Sequence, residues 1–413
     1  MWIRARLDIG WSDFLAATWN CLLPQRREAA ETAAMRAWAE IDDDGALFPL
    51  SVRSGFDLIL RALELRPGDE ILFSALTVPD MPRIAQLHGL QVVPVDTNAD
   101  GQISMQSLEK AITPKSRMLV VAHLFGGLAP MSEINDIAKR HDLFVVEDKA
   151  QRFVGAKEEP RDRRTDVVLY SFGPIKTATS LGGAVMLVRD DKLRRRTKEI
   201  LHRDPVQSRK DFLGRTLKFA TLKSLSGPMA AALFLRLLFA CGKNPDVVLN
   251  GIARGFRDNQ LLHQLRKQPS TPLLQLMARR WSNFDHDSSQ RKVAMGRYLD
   301  KQIGVSRSEN DSYWVYPVFV PQAKRLADDL RAAGIDATCQ NRMNVVTPID
   351  HRTAPTASWL WHHVVFLPWY PELPDFIVSQ MGGLISEHQK QHVAHISETR
   401  SKEEMGRQLR AMD

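Results

Sequence analysis

The sequence predicts an α/β protein, with a mostly parallel sheet flanked by helices and a smaller α+β unit toward the C-terminus. Two observations carry this. Leu119-Val-Val-Ala122, Leu143-Phe-Val-Val146 and Val167-Val-Leu-Tyr170 are short apolar runs bounded by charged or glycine-containing segments, and Ser132 to Arg140 between the first two has helical spacing. At 413 residues and 44% hydrophobic, the chain has enough apolar surface for one large domain and a second, smaller one. Alternation of this kind makes the strands parallel and places ligands at their carboxyl ends.

The elements follow in order. Arg53-Ser-Gly55-Phe56 precedes the periodic apolar residues Leu58, Ile59, Ala62 and Leu63, so a Ser-Gly turn opens a helix. Its N–H groups and positive dipole end suit a phosphate; a plain N-cap accounts for Ser54-Gly55 equally simply. Val145-Val-Glu-Asp148-Lys-Ala-Gln151 is an apolar strand ending in an acid, and Val167-Val-Leu-Tyr-Ser171 ends in a hydroxyl five residues before Lys176. From about Pro272 a helical stretch containing Arg291 to Ile303 leads into the strand Tyr313-Trp-Val-Tyr-Pro-Val-Phe-Val320. The helix Gln322 to Ala333 then stops at Gly334. After Ser386 the chain is polar and charged. The expected division is a large domain over 1–200, a basic and apolar insertion over 201–271, and a small domain with a charged tail over 272–413.

Lys176 and Asp148 are the candidate catalytic pair. A lysine amine condenses with the aldehyde of pyridoxal 5'-phosphate as a Schiff base, and once released it shuttles a proton. A carboxylate beside the ring nitrogen favours its protonated, electron-withdrawing form. Ser171 adds a donor for the phosphate. Taken singly, a loop lysine is usually solvated surface and a strand-terminal Asp a cap or turn former.

The order and spacing of these pieces resemble the DegT/StrS family of sugar aminotransferases, pyridoxal phosphate enzymes of the aspartate aminotransferase-like fold (fold type I). The resemblance runs through Ser54-Gly55, Leu65-Arg-Pro-Gly-Asp-Glu-Ile-Leu72, Gly89-Leu-Gln-Val-Val-Pro-Val-Asp96, Ala111-Ile-Thr-Pro-Lys115, Ala122-His-Leu-Phe-Gly126, Glu147-Asp148 with Gln151, and Ser171-Phe-Gly-Pro-Ile-Lys176 with Gly182-Gly-Ala184. It implies a seven-stranded type of sheet, Lys176 as the Schiff-base lysine, Asp148 at the ring nitrogen, Gln151 at the ring hydroxyl region, and Ser171 with the Gly55-Phe56 backbone at the phosphate. It also implies a homodimer with shared active sites, an amino-acid donor such as glutamate and a keto-sugar acceptor. Departures stand beside it. Phe56 occupies the place of the family's Thr, Val78 that of an aromatic over the ring, and Arg266-Lys-Gln-Pro-Ser-Thr-Pro-Leu-Leu274 replaces the family's Asn-Tyr-Arg segment. A dehydratase of the same fold and a non-catalytic sensor or scaffold are the alternative functions.

Charge and cysteine content bound the rest. Between Asp191 and Lys223 eleven Lys or Arg face four Asp or Glu, so this stretch carries +7 of the chain's +8. The apolar run from Ser224 to Cys241 follows, so residues 191–241 suit either peripheral contact at the inner membrane surface or a solvated face beside an ordinary core or dimer helix. A basic stretch without a supporting motif does not point to nucleic acid. Cys21, Cys241 and Cys339 lie too far apart for a disulfide framework or a metal site, which suggests a reducing cytoplasm. His123 matches a family position near the cofactor but is left outside the catalytic set. His362-His363, on neighbouring strand positions, has no third partner for a metal.

Overall fold

A computed structural model describes the chain apart from residues 5, 24–25, 40–44, 156–160, 226–259, 340–342, 348–349, 351 and 392–413. In chain order the first elements are α1 (Trp11–Leu22), α2 (Arg27–Ala39), α3 (Val52–Leu63), β1 (Glu70–Ser74), β2 (Leu76–Thr77), α4 (Asp80–Leu87), β3 (Gln91–Val95), α5 (Met105–Ala111), β4 (Ser116–Ala122) and α6 (Met131–Arg140). Next come β5 (Phe144–Asp148), β6 (Val167–Ser171), β7 (Ala184–Val188), α7 (Asp191–Arg203), α8 (Arg209–Ser224), α9 (Leu261–Leu265) and α10 (Thr271–Ser282). The last are α11 (His286–Ile303), β8 (Tyr316–Phe319), α12 (Ala323–Ala332), β9 (Asn344–Val345), α13 (Pro355–His362) and β10 (Val364–Leu367).

The central sheet has the order β3-β1-β4-β5-β6-β7, parallel throughout except where β7 runs antiparallel to β6. It therefore has six strands among the described residues, where a seven-stranded type was expected. The short β2 leaves the sheet after Ser74 and pairs instead with β9 of the C-terminal part. Parity along each strand sorts the side chains. Ile71, Phe73, Met118, Val120 and Val146 face a core shared with α3 and α4, while Leu72, Leu119, Val121 and Val145 face the core under α5 and α6. Burial on both faces is why these strands read as continuous apolar runs.

The first turn of α3 differs from the sequence reading. Ser51 is the N-cap, accepting from Ser54 N at 3.1 Å, and Gly55 N donates to Ser51 O at 2.9 Å. Ser54 and Gly55 thus lie inside the helix. A side chain at Gly55 would sit 2.9 Å from Leu169 Cδ2 and 3.2 Å from Pro49 Cγ, so this glycine lets the helix approach the sheet.

Over the β6–β7 end lies a helical layer of α1, α2, α8 and α10. Trp38, Phe153, Phe172 and Trp281 meet there, edge-on except for the stacked pair Trp38–Phe153, with the Phe172 and Trp281 rings 5.1 Å apart. Leu273, Leu274, Met277 and Trp281 of α10 fill this core, and Phe284 packs against it. The C-terminal unit has its own core of Met295, Leu299, Tyr316, Leu326, Leu330, Val365 and Met381 around the antiparallel pair β8–β10. Its first strand is shorter than the run from Tyr313 to Val320, since Tyr313 has φ +46° and its hydroxyl, like that of Tyr316, is held by Asp300 of α11. His362 and His363 close α13, each ring bonded to the carbonyl four residues back, and so do not lie on a strand. Among the described residues no helix is long and apolar enough to cross a membrane.

Gly55→Ala is expected to cost about 1–3 kcal/mol by overpacking the helix–sheet contact. It should appear as a lower urea midpoint at unchanged slope; an unchanged midpoint would contradict the close approach.

Candidate active site

Asp148 ends β5 and Ser171 ends β6, neighbouring parallel strands in which Asp148 pairs with Leu169. Both therefore sit at the carboxyl edge of the sheet, where ligands of such folds bind. Past Ser171 the chain turns through Gly173 to Lys176, whose N donates to Gly173 O at 3.0 Å. Thr179 Oγ1 braces the same turn by donating to Gly173 O at 2.6 Å. The N-terminal segment latches it from outside: Ala178 N donates to Asp8 Oδ2 at 2.7 Å, and Arg280 bonds Asp8, Asp13 and the Thr179 carbonyl.

Lys176 and Asp148 are brought to one edge. Burial pushes the Asp148 carboxyl above its ordinary range, opposed by the Ala150 amide on Oδ1 (2.8 Å) and by the nearby cations Lys176 and Arg53. Its Oδ2 accepts no hydrogen bond among the described residues. A dehydrated carboxyl of this kind is suited to a cationic N–H donor. The Lys176 amine lies 3.9 Å from the centre of the Trp314 ring, which the C-terminal unit supplies. Gln151 accepts from Phe125 N at 3.0 Å and donates to Met343 Sδ at 3.1 Å. Val78 is partly buried and packs against the cores on either side of it.

Tested against pyridoxal phosphate, this set fits in part. Lys176, Asp148, Ser171 and Gln151 converge on the sheet edge with the chemistry the group needs. Gly55 and Phe56 do not serve as expected: the Gly55 amide is spent on Ser51, and Phe56 is wholly buried with its ring against Phe73. Ser54 is also buried, its hydroxyl 3.0 Å from that of Ser51. Arg53, beside them, reaches Asp80 at the start of α4.

One cluster escaped the sequence reading. Glu147 and Lys149 share the face of β5 opposite Asp148, both essentially unexposed, with Nζ–Oε1 at 3.1 Å. His123, also fully buried, completes it. Ala129 N donates to its Nδ1 at 3.0 Å, so the ring proton sits on Nε2 and is donated to Glu147 Oε1 at 2.8 Å. Burial raises the Glu147 pKa, but the His123 bond and the Lys149 charge outweigh it and hold the acid below its usual range. Glu147 Oε2 is left without a partner. The signal was available: an acid and a lysine two apart on an apolar strand must share a face. Trp314 carried no such signal, because only the tertiary fold brings it to Lys176.

The Arg266 segment is explained locally. Arg266 Nε and Nη2 bond the carboxylate of Asp57 on α3, each at 3.1 Å, and His88 Nε2 adds a third contact at 2.8 Å. Burial raises the Asp57 pKa, and the bonds from His88 and Arg266 more than reverse it.

The family model of the DegT/DnrJ/EryC1/StrS aminotransferases matches residues 46–229, the stretch that carries Asp148, Ser171 and Lys176. Residues 46–229 belong to the DegT/DnrJ/EryC1/StrS aminotransferase family. The chain is similar to L-glutamine:2-deoxy-scyllo-inosose aminotransferase of Micromonospora echinospora, 32% identical over 187 residues, 43% of this chain and 43% of that protein. It is also similar to dTDP-3-amino-3,4,6-trideoxy-alpha-D-glucose transaminase of Streptomyces venezuelae, 35% identical over 156 residues, 36% of this chain and 40% of that protein. The chain thus matches less than half the length of these curated relatives. The fold extends further. The sugar aminotransferase CalS13 from Micromonospora echinospora superposes with a TM-score of 0.66 at 16% identity, covering 94% of this chain and 100% of that one. The aminotransferase TlmJ from Streptoalloteichus hindustanus gives 0.69 at 14% identity, covering 95% and 100%.

Lys149→Ala is expected to strand the Glu147 charge and cost about 3–5 kcal/mol, while Lys149→Met with Glu147→Gln should recover most of that. Urea denaturation of the three proteins decides; a loss below about 1 kcal/mol in the single variant would contradict a buried pair. Asp57 gives a pH effect. Its folded pKa lies below the unfolded value of about 3.9, so its contribution is complete above that value and disappears as pH falls through the folded one. Arg266→Gln should narrow the stability difference between pH 7 and pH 3 measured by denaturant titration; an unaltered difference would refute the pairing.

Proposed function

We propose that this chain is a pyridoxal phosphate-dependent aminotransferase that moves an amino group from an amino acid to the keto group of a sugar or related polyol. The observation that carries this is the delivery of Lys176 and Asp148 to one sheet edge within a family domain of aminotransferases. When bound, pyridoxal phosphate supplies a carbonyl carbon that takes up an amine and a ring that withdraws electrons from the neighbouring carbon.

Each residue has a separate task. Asp148, buried and short of one hydrogen bond, holds the ring nitrogen and keeps its proton. The Lys176 amine anchors the group and then carries a proton to and from the substrate carbon. Ser171 donates to the phosphate, and Gln151 orients the ring hydroxyl region. The turn holding Lys176, latched by Asp8 and Arg280, keeps the amine at the edge and lowers the entropy of its approach. Trp314 covers the amine and limits its contact with water.

The amino donor we propose is glutamate. The relative from Micromonospora echinospora is named for L-glutamine and an inosose, and the one from Streptomyces venezuelae for a dTDP-linked amino sugar, which supports a polyhydroxylated keto acceptor. Phe56 and Val78 leave the cofactor fewer polar and stacking contacts than the family pattern, so weaker retention is part of the proposal. The working form we propose is a homodimer in the cytoplasm.

The test is spectroscopic. Purified chain with pyridoxal phosphate should show a visible absorbance band that shifts on adding glutamate or glutamine. Lys176→Ala should abolish the shift and lower single-turnover transfer by roughly 10²–10⁴-fold or more, and Asp148→Asn should weaken both. Cofactor binding by the wild type with no response to any amino donor would overturn the assignment.

A further inference from the structure

The outward face of α1 is apolar. Trp11, Leu15, Trp19 and Leu22 recur along one stripe of the helix and are 51%, 73%, 61% and 64% exposed, while Asp13, Phe14, Ala17 and Cys21 fill the buried side. Leu23 extends the stripe past the helix end. Single exposed apolar residues are ordinary, but two tryptophans and three leucines in one line are not.

Beside this stripe runs the basic helix α8, packed antiparallel against α1. Arg209 Nη1 of its first turn donates to Leu23 O at 3.2 Å, at the far end of α1. Exposed on α8 are Arg209, Lys210 and Lys218 with Leu217, against the single exposed acid Asp211. They belong to the 191–223 stretch that holds eleven of the chain's Lys and Arg.

From this pairing of an uncovered Trp-Leu stripe with a flanking row of cations, we propose that the α1–α8 face rests on a bilayer surface containing anionic headgroups. Tryptophan suits that boundary, since its ring enters the apolar zone while its N–H stays among polar groups. At twelve residues α1 is about 18 Å long, too short to span the membrane, so it lies in the plane. The lysines and arginine beside it meet the headgroup charge. A second copy is the less suitable cover: a two-fold contact sets each patch against itself, and α8 would face its own positive charge. The anchor expected over 191–241 is thereby redrawn. Its cationic part is α8, its apolar part comes from α1, and residues 226–241 lie outside the described residues. The inference is independent of the proposed chemistry.

The test is flotation of the full chain with vesicles of phosphatidylcholine, and of phosphatidylcholine mixed with phosphatidylglycerol. The wild type should float with the mixed vesicles, be released by salt, and show a blue shift in tryptophan emission. Leu15→Glu with Trp19→Glu should lower the bound fraction about tenfold or more, as should Lys210→Glu with Lys218→Glu. All these positions are exposed, so circular dichroism should report unchanged folding; Trp11→Ser provides a milder variant if it does not. Absence of wild-type flotation, or equal flotation with both vesicle types, overturns the proposal. So does a halved mass in light scattering for Leu15→Glu with Trp19→Glu when vesicle binding is unchanged, which assigns the stripe to a second copy.

Discussion

Alternation along β5 is the constraint on which the candidate site depends. Val146 and Asp148 face one side of the sheet and Glu147 and Lys149 the other, so one short strand supplies both the site carboxylate and the buried pair behind it. A register slip of one residue would exchange them and put the paired acid at the cofactor edge. Parallel pairing with β4 and β6 fixes the register, and the apolar residues Val145 and Val146 secure each face.

Much of this was legible in the sequence. The parallel α/β frame followed from short apolar runs alternating with helical spacing, and the edge positions of Asp148 and Ser171 followed from their places at the ends of those runs. What escaped notice depended on contacts between distant segments. The start of α3 was misplaced because Ser51 and Ser54 are both good caps, and only the path of the chain before Ser51 decides between them. Gly55 was read as a phosphate cradle when its role is steric, against Leu169. Pro272 carries a second meaning of the same kind: proline opens a helix as readily as it separates units, and here it stands in the first turn of α10.

Two latches then tie the site to the rest of the molecule. Asp8 and Arg280 join the N-terminal segment and α10 to the lysine turn. On the other side, a side chain at Gly126 would meet Trp314 N at 2.6 Å, so the loop after β4 and the segment leading to β8 are in close backbone contact. The indole over Lys176 is consequently placed by the C-terminal unit while the amine beneath it is placed by the sheet. Arg266, bound to Asp57, contributes to neither; it secures the middle of α3.

The cluster behind β5 also shapes the field at the sheet edge. Glu147 and Lys149 cancel, and His123, its single ring proton fixed on Nε2 by the Ala129 amide, adds no charge of its own. Three buried ionisable groups thus amount to a neutral block behind the strand, so the field at the rim is set by Asp148 and by the cations Lys176 and Arg53 on its own side. Anything that settles on that rim meets a carboxyl together with the cations Lys176 and Arg53, so its orientation follows where it carries positive charge and where it carries negative charge.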